Sequence, residues 1–210
     1  DFFIHMENTD IKLARFDKSY LISWIELFSN EPVSQIECIL LKGDASDRNY
    51  YRVKYALKSS PEIQCSVIIM QLAKLETEPD FNCMQRFLKN LHIPVPEMFH
   101  FDAKKGLLFL MDFGDTHLAD KITKEPGKTV FWYQKAIDII VAFHIQVTEM
   151  TSPDLPAYSL FFDEEKLMWE MDFMLEHYVR GMLMSNLTKV EMSKLREALR
   201  TLCKTLSKED

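Results

Sequence analysis

The chain has 210 residues, of which 47% are hydrophobic, so it is long enough to bury a substantial core in one or two domains. Charged residues make up 27% of the chain, an ordinary fraction that argues against intrinsic disorder. The net charge of −7 argues against nucleic acid or an anionic membrane as the main partner. It does not exclude an anionic small molecule, because a locally positive site is sufficient to bind one.

The cysteines and histidines give no sign of a metal site. Cys38, Cys65, Cys83 and Cys203 form no C-x-x-C pair, and the six histidines form no H-E-x-x-H motif. Widely spaced thiols of this kind are typical of a reducing, cytoplasmic environment. No segment is long and apolar enough to span a membrane, and the first residues lack a signal-peptide pattern. One interpretation of residues 1–5 is a cloning remnant before Met6.

The first half of the chain is predicted to form strands and two helices. An apolar pattern at helical spacing, capped near Asp17, predicts a helix over Phe16–Phe28. Segments rich in β-branched and aromatic residues predict five strands, at residues 36–41, 50–57, 67–72, a short segment ending at 101, and 107–111. A predicted helix over Asp80–Leu91 separates the third strand from the fourth.

The second half is predicted to be helical throughout. A long helix over Thr129–Met150 is expected to bury a stripe of apolar residues, namely Trp132, Ala136, Ile139, Ile140, Phe143 and Val147. A Met-rich helix is predicted over 163–184. The spacing of Thr188 and Glu191 is that of a capping box, which begins a last helix that extends to about Ser207.

The turn between the first two strands is made of small and polar residues, Gly43-Asp44-Ala45-Ser46-Asp47, and is followed by Arg48. Such a turn exposes backbone N–H groups without bulk in front of them, as a loop that covers nucleotide phosphates requires. Taken alone, the same composition also fits an ordinary β-hairpin with a polar tip. The order of the surrounding elements (hairpin, strand, helix, two strands, then helices) favours the phosphate-binding interpretation, because it is the order of the small lobe of a protein-kinase-like fold.

These motifs resemble a known family. Residues 43–52 (G-D-A-S-D-R-N-Y-Y-R), 92–97 (H-I-P-V-P-E) and 106–115 (G-L-L-F-L-M-D-F-G-D) are similar to segments of the bacterial phosphotransferases related to aminoglycoside and choline kinases. Within that family the chain is most similar to kinases that phosphorylate the anomeric hydroxyl of N-acetylmuramate and N-acetylglucosamine. The resemblance covers about residues 20–200, and the glycine turn is its most specific part.

The resemblance implies an α+β, protein-kinase-like fold. Residues 1–111 would form a nucleotide-binding lobe with a small antiparallel sheet, 112–128 a hinge and linker, and 129–210 the first helices of a C-terminal lobe. The cofactors it implies are ATP and Mg²⁺. The nucleotide-binding residues it implies are Gly43, Asp44, Ala45, Ser46, Asp47 and Arg48 at the phosphates, with Met111, Asp112 and Phe113 holding the adenine through backbone groups. His117 is a candidate for the acceptor site.

Two parts of the kinase pattern are absent from the sequence. No H-x-D-x-x-x-x-N loop supplies a catalytic base and a magnesium ligand, so no catalytic or metal-binding residue is assigned and the chain is expected to end before its catalytic loop. Two short matches, His100-Phe101-Asp102 and Asp112-Phe113-Gly114, are interpreted as coincidental, because the first lacks the following Asn and the second falls at the predicted hinge.

The second missing feature is the phosphate-binding lysine of the third strand. Met70 stands at that position and Gln71 follows it, so another cation must neutralise the phosphates. The candidates are Arg48, Arg52 and Lys74, and Arg48 is favoured because it lies in the turn itself.

The resemblance therefore implies an ATP-dependent kinase of a small-molecule hydroxyl, with a cell-wall amino sugar as the favoured substrate, and this chain alone is expected to be inactive. The alternative is a non-catalytic nucleotide-binding or protein-interaction module. Exposed apolar surface on the helices would then favour dimerisation.

Overall fold

The structure, a computed structural model, describes residues 14–41, 47–184 and 186–208. The chain divides into two compact units, Asp1–Ser152 and Pro153–Asp210. The first unit contains a sheet and four helices in its described part. The second unit is helical in its described part.

The first unit is built on an antiparallel sheet of five strands. Their bounds are β1 Val33–Leu40, β2 Asn49–Leu57, β3 Ser60–Gln71, β4 Met98–Asp102 and β5 Leu107–Met111. The strands are ordered β1-β2-β3-β5-β4, and every neighbouring pair is antiparallel. The α+β class is therefore confirmed, and so are all five predicted strands, of which β3 is longer than predicted.

Helix α1, Lys18–Ser29, covers one face of this sheet. The Asp17 carboxylate accepts a hydrogen bond from Tyr20 N and caps the helix, as predicted. Leu21 and Ile25 pack on a buried cluster that includes Tyr51 and Val53 of β2 and Phe109 of β5. Alternate residues of a strand face the same side, so this cluster defines the α1 face of the sheet.

Helix α2, Asp80–Asn90, lies between β3 and β4 in the chain and packs on the opposite face. Its Phe81 contacts a second buried cluster, formed by Met70, Leu72, Leu108 and Leu110. Tyr50 and Ile68 pack against the same cluster, and Arg52 shares their side of the sheet because it lies two residues from Tyr50 on β2. We call this side the α2 face.

The segment from 112 to 128, which we expected to be a hinge and linker, contains the short helix α3, Leu118–Lys124, and a 3₁₀ turn at Pro126–Lys128. Helix α4 follows over Thr129–Met150, with the predicted bounds. The predicted buried stripe on α4 is wrong: no residue of the helix is buried, and Ile139, Ile140 and Phe143 are exposed. The reason is that its main contacts are with α3 and the 3₁₀ turn, which are too short to cover it.

In the second unit, α5 (Glu164–Met174) continues into a π-helical segment, Leu175–Met182. The predicted single helix over 163–184 thus changes its hydrogen bonding partway, as the 2.8 Å bond from Leu183 N to Tyr178 O shows. Helix α6 spans Lys189–Leu206 and begins with the predicted capping box of Thr188 and Glu191. The guanidinium of Arg196 binds Asp172 of α5 through bonds of 2.6 and 2.7 Å.

Gly106 permits the tight turn between β4 and β5, and replacing it should be costly. Its φ is +63°, and a Cβ atom there would lie 2.9 Å from Arg15 Nη1 and 3.0 Å from Leu75 Cδ2. Gly106→Ala should therefore lower the free energy of unfolding by about 1–3 kcal/mol. Gly127→Ala is the matched control, because no heavy atom would meet its Cβ, and it should change stability by less than about 0.5 kcal/mol. Urea unfolding of both variants measures the difference, and equal stabilities would contradict the strain argument.

Candidate functional site

An ion-pair cluster connects β2 with the residues that follow β5. Arg52 donates from Nε and Nη2 to the two carboxylate oxygens of Asp112, at 2.7 and 3.0 Å. Its Nη1 lies 2.6 and 2.8 Å from the oxygens of Asp115. The Arg52 and Asp112 side chains are 11% and 6% exposed, whereas that of Asp115 is 81% exposed. Arg52 thus has one buried partner and one exposed partner.

The electrostatics of the cluster favour the charged forms of its members. Burial raises the pKa of Asp112, but hydrogen bonds from Arg52, from Gly114 N and from the Ser66 side chain outweigh burial, so that its pKa lies below the ordinary value. Asp115 and Asp112 both raise the pKa of Arg52. Because Asp115 is mostly in water, solvent screens its contact with Arg52, and the buried partner dominates the energy of the cluster.

The cluster borders a polar cleft of about 190 Å³ on unit 1. The residues that line it come from β2, from β3 and from the chain after β5, and they are Arg52, Lys54, Gln64, Cys65, Ser66, Asp112, Gly114 and Asp115. A cleft with hydrogen-bonding groups on several sides suits a small polar ligand group.

We call residues 111–115 the hinge segment, and two of its amides are already used. Met111 N donates to Glu97 O at 2.8 Å, and Gly114 N donates to the Asp112 carboxylate at 2.8 Å. The strand register directs the N–H of Asp112 toward Ser66 of β3, whereas the N–H of Phe113 makes no hydrogen bond to the described residues. The Phe113 side chain is exposed, and Gly114 turns the chain with φ +73°. The segment therefore offers one backbone donor, the N–H of Phe113, next to the cleft.

Of the predicted phosphate-loop residues, Gly43, Asp44, Ala45 and Ser46 lie outside the described residues. Asp47 is exposed. Arg48 Nη1 lies 3.9 Å from Sδ of Met70, so its guanidinium occupies the place beside the strand position where protein kinases have lysine. Met70 itself is fully buried.

The other candidate residues have the following surroundings. Arg52 is engaged by two carboxylates and is not available as the phosphate cation that we considered. Lys74 is exposed. His117 caps α3 together with Asp120, whose carboxylate accepts from His117 N. Buried Gln71, which follows Met70, accepts from Arg15 N at 2.9 Å.

The short match at His100-Phe101-Asp102 forms the end of β4, and Asp102 leads into the β4–β5 turn. The Asp102 carboxylate accepts from the Tyr20 hydroxyl at 2.8 Å and from the backbone of Lys104 and Lys105. Burial and these contacts with Asp102 raise the pKa of Tyr20. Asp102 thus connects α1 with the β4–β5 turn.

No protein-family model matches the sequence, and no curated protein is significantly similar to it. Within the described ranges, no three His, Cys, Asp or Glu side chains are grouped so as to hold a metal ion. None of the described helices has the length and apolarity needed to cross a membrane. All four cysteines are free, and burial raises the pKa of the Cys38 thiol to about 12.

The low pKa of Asp112 predicts a loss of stability in acid. A carboxylate whose pKa is lower in the folded than in the unfolded chain stabilises the fold above the unfolded value, about 3.9, and this contribution is lost as the pH falls through the folded value. Wild-type stability, followed by urea unfolding between pH 7 and pH 2.5, should therefore decrease below about pH 4. Asp112→Asn should be less stable at pH 7 and show a shallower decrease. Asp154→Asn, at an exposed loop position, is the control, and an Asp112→Asn curve parallel to the wild type would contradict the assignment.

Proposed function

We propose that the chain is the nucleotide-binding part of an ATP-dependent phosphotransferase with a protein-kinase-like fold. Its substrate would be a small-molecule hydroxyl, and the sequence resemblance favours an amino sugar of the bacterial cell wall such as N-acetylmuramate. The observation that carries the proposal is the position of Arg48, whose guanidinium lies against Met70 on the same sheet face as the hinge segment. A nucleotide could then contact this cation and the N–H of Phe113, which follows β5.

The topology supports the proposal. The strand order β1-β2-β3-β5-β4, with α2 inserted between β3 and β4, is the arrangement of the nucleotide-binding lobe that the resemblance implies. Helix α2 and Arg48 act on the same face, since both contact the cluster that contains Met70. A fold supports many functions, so the argument depends on the side chains of this face rather than on the topology alone.

Each group would have a defined role. The turn of residues 43–48 would cover the phosphates, with Arg48 supplying the charge that the strand lysine supplies in protein kinases. The N–H of Phe113 would contact the edge of the adenine. Magnesium bound to the phosphates would neutralise charge as the phosphoryl group moves. The H-x-D-x-x-x-x-N pattern does not occur among these residues, so nucleotide binding, not turnover, is the appropriate test.

The test is a titration of the chain with a fluorescent ATP analogue, followed by competition with ATP and with adenosine. We expect saturable binding with a Kd of about 1 mM or tighter. Arg48→Met should weaken ATP about tenfold or more, because a charge-assisted contact to phosphate is lost, and should leave adenosine unaffected. Lys58→Met, at the exposed turn between β2 and β3, is the control and should bind like the wild type. No saturable binding by the wild type would refute the proposal.

A second candidate function, a protein-interaction module that self-associates, is favoured by helix α4. The helix carries large exposed apolar side chains along its length, namely Val130, Phe131, Tyr133, Ile137, Ile139, Ile140, Val141, Phe143, Ile145 and Met150. A helix that is apolar on all sides is normally buried, and a patch of this size marks an interaction surface. Light scattering after size-exclusion chromatography should then give a mass above that of one chain. A clean monomer at high concentration would count against this function.

A further inference from the structure

Arg52 reaches across the sheet to hold a segment that is distant in the sequence. It is paired in register with Ile68 of β3, and Ile68 is paired with Leu110 of β5. Its guanidinium therefore crosses the width of β3 on the α2 face before it meets Asp112, two residues beyond Leu110. The ion pair therefore joins β2 to the hinge segment across the intervening strand β3.

The Asp112 carboxylate passes this restraint on to the backbone. Its Oδ1 accepts from Arg52 Nη2 at 3.0 Å and also from Gly114 N at 2.8 Å. The same carboxylate thus fixes a tight turn of the main chain and is itself fixed by two bonds from Arg52. The amide of Phe113, which donates to no described residue, lies within this turn.

We infer that Arg52 is a positioning residue, which holds the backbone of the hinge segment through its bidentate pair with Asp112 so that the Phe113 amide stays directed to a ligand. The inference that the ligand is a purine nucleotide rests on the proposed function, whereas the restraint on the backbone does not. Asp115 is dispensable for this role, because its contact with Arg52 is exposed to water.

The planar fork of arginine is essential to the inference. A guanidinium offers parallel N–H donors that match both oxygens of a carboxylate, whereas a lysine ammonium is a point charge on a flexible stem. Lysine at position 52 would keep the charge but lose the second bond to Asp112. Arg52→Lys therefore separates the effect of geometry from the effect of charge.

The test is hydrogen exchange of the full chain, read by mass spectrometry on peptides that cover residues 108–116. Arg52→Lys should accelerate exchange of the hydrogen-bonded amides of the hinge segment, those of Met111 and Gly114, about tenfold, and Asp115→Asn should leave it unchanged. The double variant Arg52→Met/Asp112→Leu separates the restraint on the backbone from overall stability. Replacing a buried ion pair by apolar side chains often leaves the free energy of unfolding unchanged. The double variant should also exchange faster in this segment even where its overall stability matches the wild type. The inference would be overturned if the hinge segment exchanged at the wild-type rate both in Arg52→Lys and in the double variant.

ATP titration of the same proteins forms the second part of the test. We expect Arg52→Lys to bind ATP about tenfold more weakly than the wild type and Asp115→Asn to bind it equally well. Unchanged ATP affinity in Arg52→Lys would overturn the inference. A wild type that does not bind ATP would refute the proposed function alone, and the inference would then be decided by the exchange measurement, which needs no nucleotide.

Discussion

Replacing Arg52 with methionine should lower the free energy of unfolding by about 3–5 kcal/mol, because the Asp112 carboxylate would remain buried without its partner. Asp112 is 6% exposed and receives two bonds from Arg52, so water cannot replace the lost donors. Its remaining bonds, from Gly114 N and from the Ser66 side chain, do not compensate a full charge. Urea unfolding at pH 7 measures the loss.

The control for this variant is a surface ion pair. Arg86 binds Glu78, and both side chains are 55% exposed, so that water and salt screen the pair. Arg86→Met should change stability by less than about 1 kcal/mol. If Arg52→Met were as stable as Arg86→Met, the Arg52–Asp112 pair would not be the buried restraint that we describe.

The second large effect is expected in the core of the sheet. Phe109→Ala should destabilise the chain by about 3–5 kcal/mol, because Phe109 is fully buried in the cluster beneath α1. Its ring stacks on Trp24 with 4.0 Å between centroids, a contact that adds to the loss of buried area. The cavity left behind would open between α1 and β5.

Phe113→Ala provides the matched comparison, because it removes the same group from a side chain that is 65% exposed. We expect a change within about 0.5 kcal/mol, measured by thermal unfolding of both variants in one buffer. Equal losses in the two variants would contradict the position of Phe109 in the core.

Much of the fold could be predicted from local patterns. The Asp17 cap, the strands and the capping box at Thr188 depend on residues close together in the sequence, and each of them is observed where its signal lies. The prediction of a buried stripe on α4 failed because burial depends on more than local pattern. The spacing of apolar residues indicates which side of a helix can be buried, but not whether another element covers that side. In this structure no residue of α4 is buried.

The candidate site was predictable only in part. Arg48 was favoured as the phosphate cation from its place in the turn, and its contact with Met70 agrees with that choice but does not test it. The role of Arg52 was missed, because its partner lies sixty residues away. The signal was present in the strand register: Arg52, Ile68 and Leu110 are in line across three strands, but register becomes known only when the strands are paired.

The most direct measurement is photo-crosslinking of the chain with an azido-adenine analogue of ATP, followed by mapping of the labelled peptides. Two stretches of the chain should be labelled, residues 39–54 and residues 108–116, and excess ATP should abolish the label. Excess CTP should compete less well, because cytosine is smaller than adenine and presents a different hydrogen-bonding edge. Labelling that ATP does not abolish, or that falls only within Pro153–Asp210, would contradict a nucleotide site on this sheet.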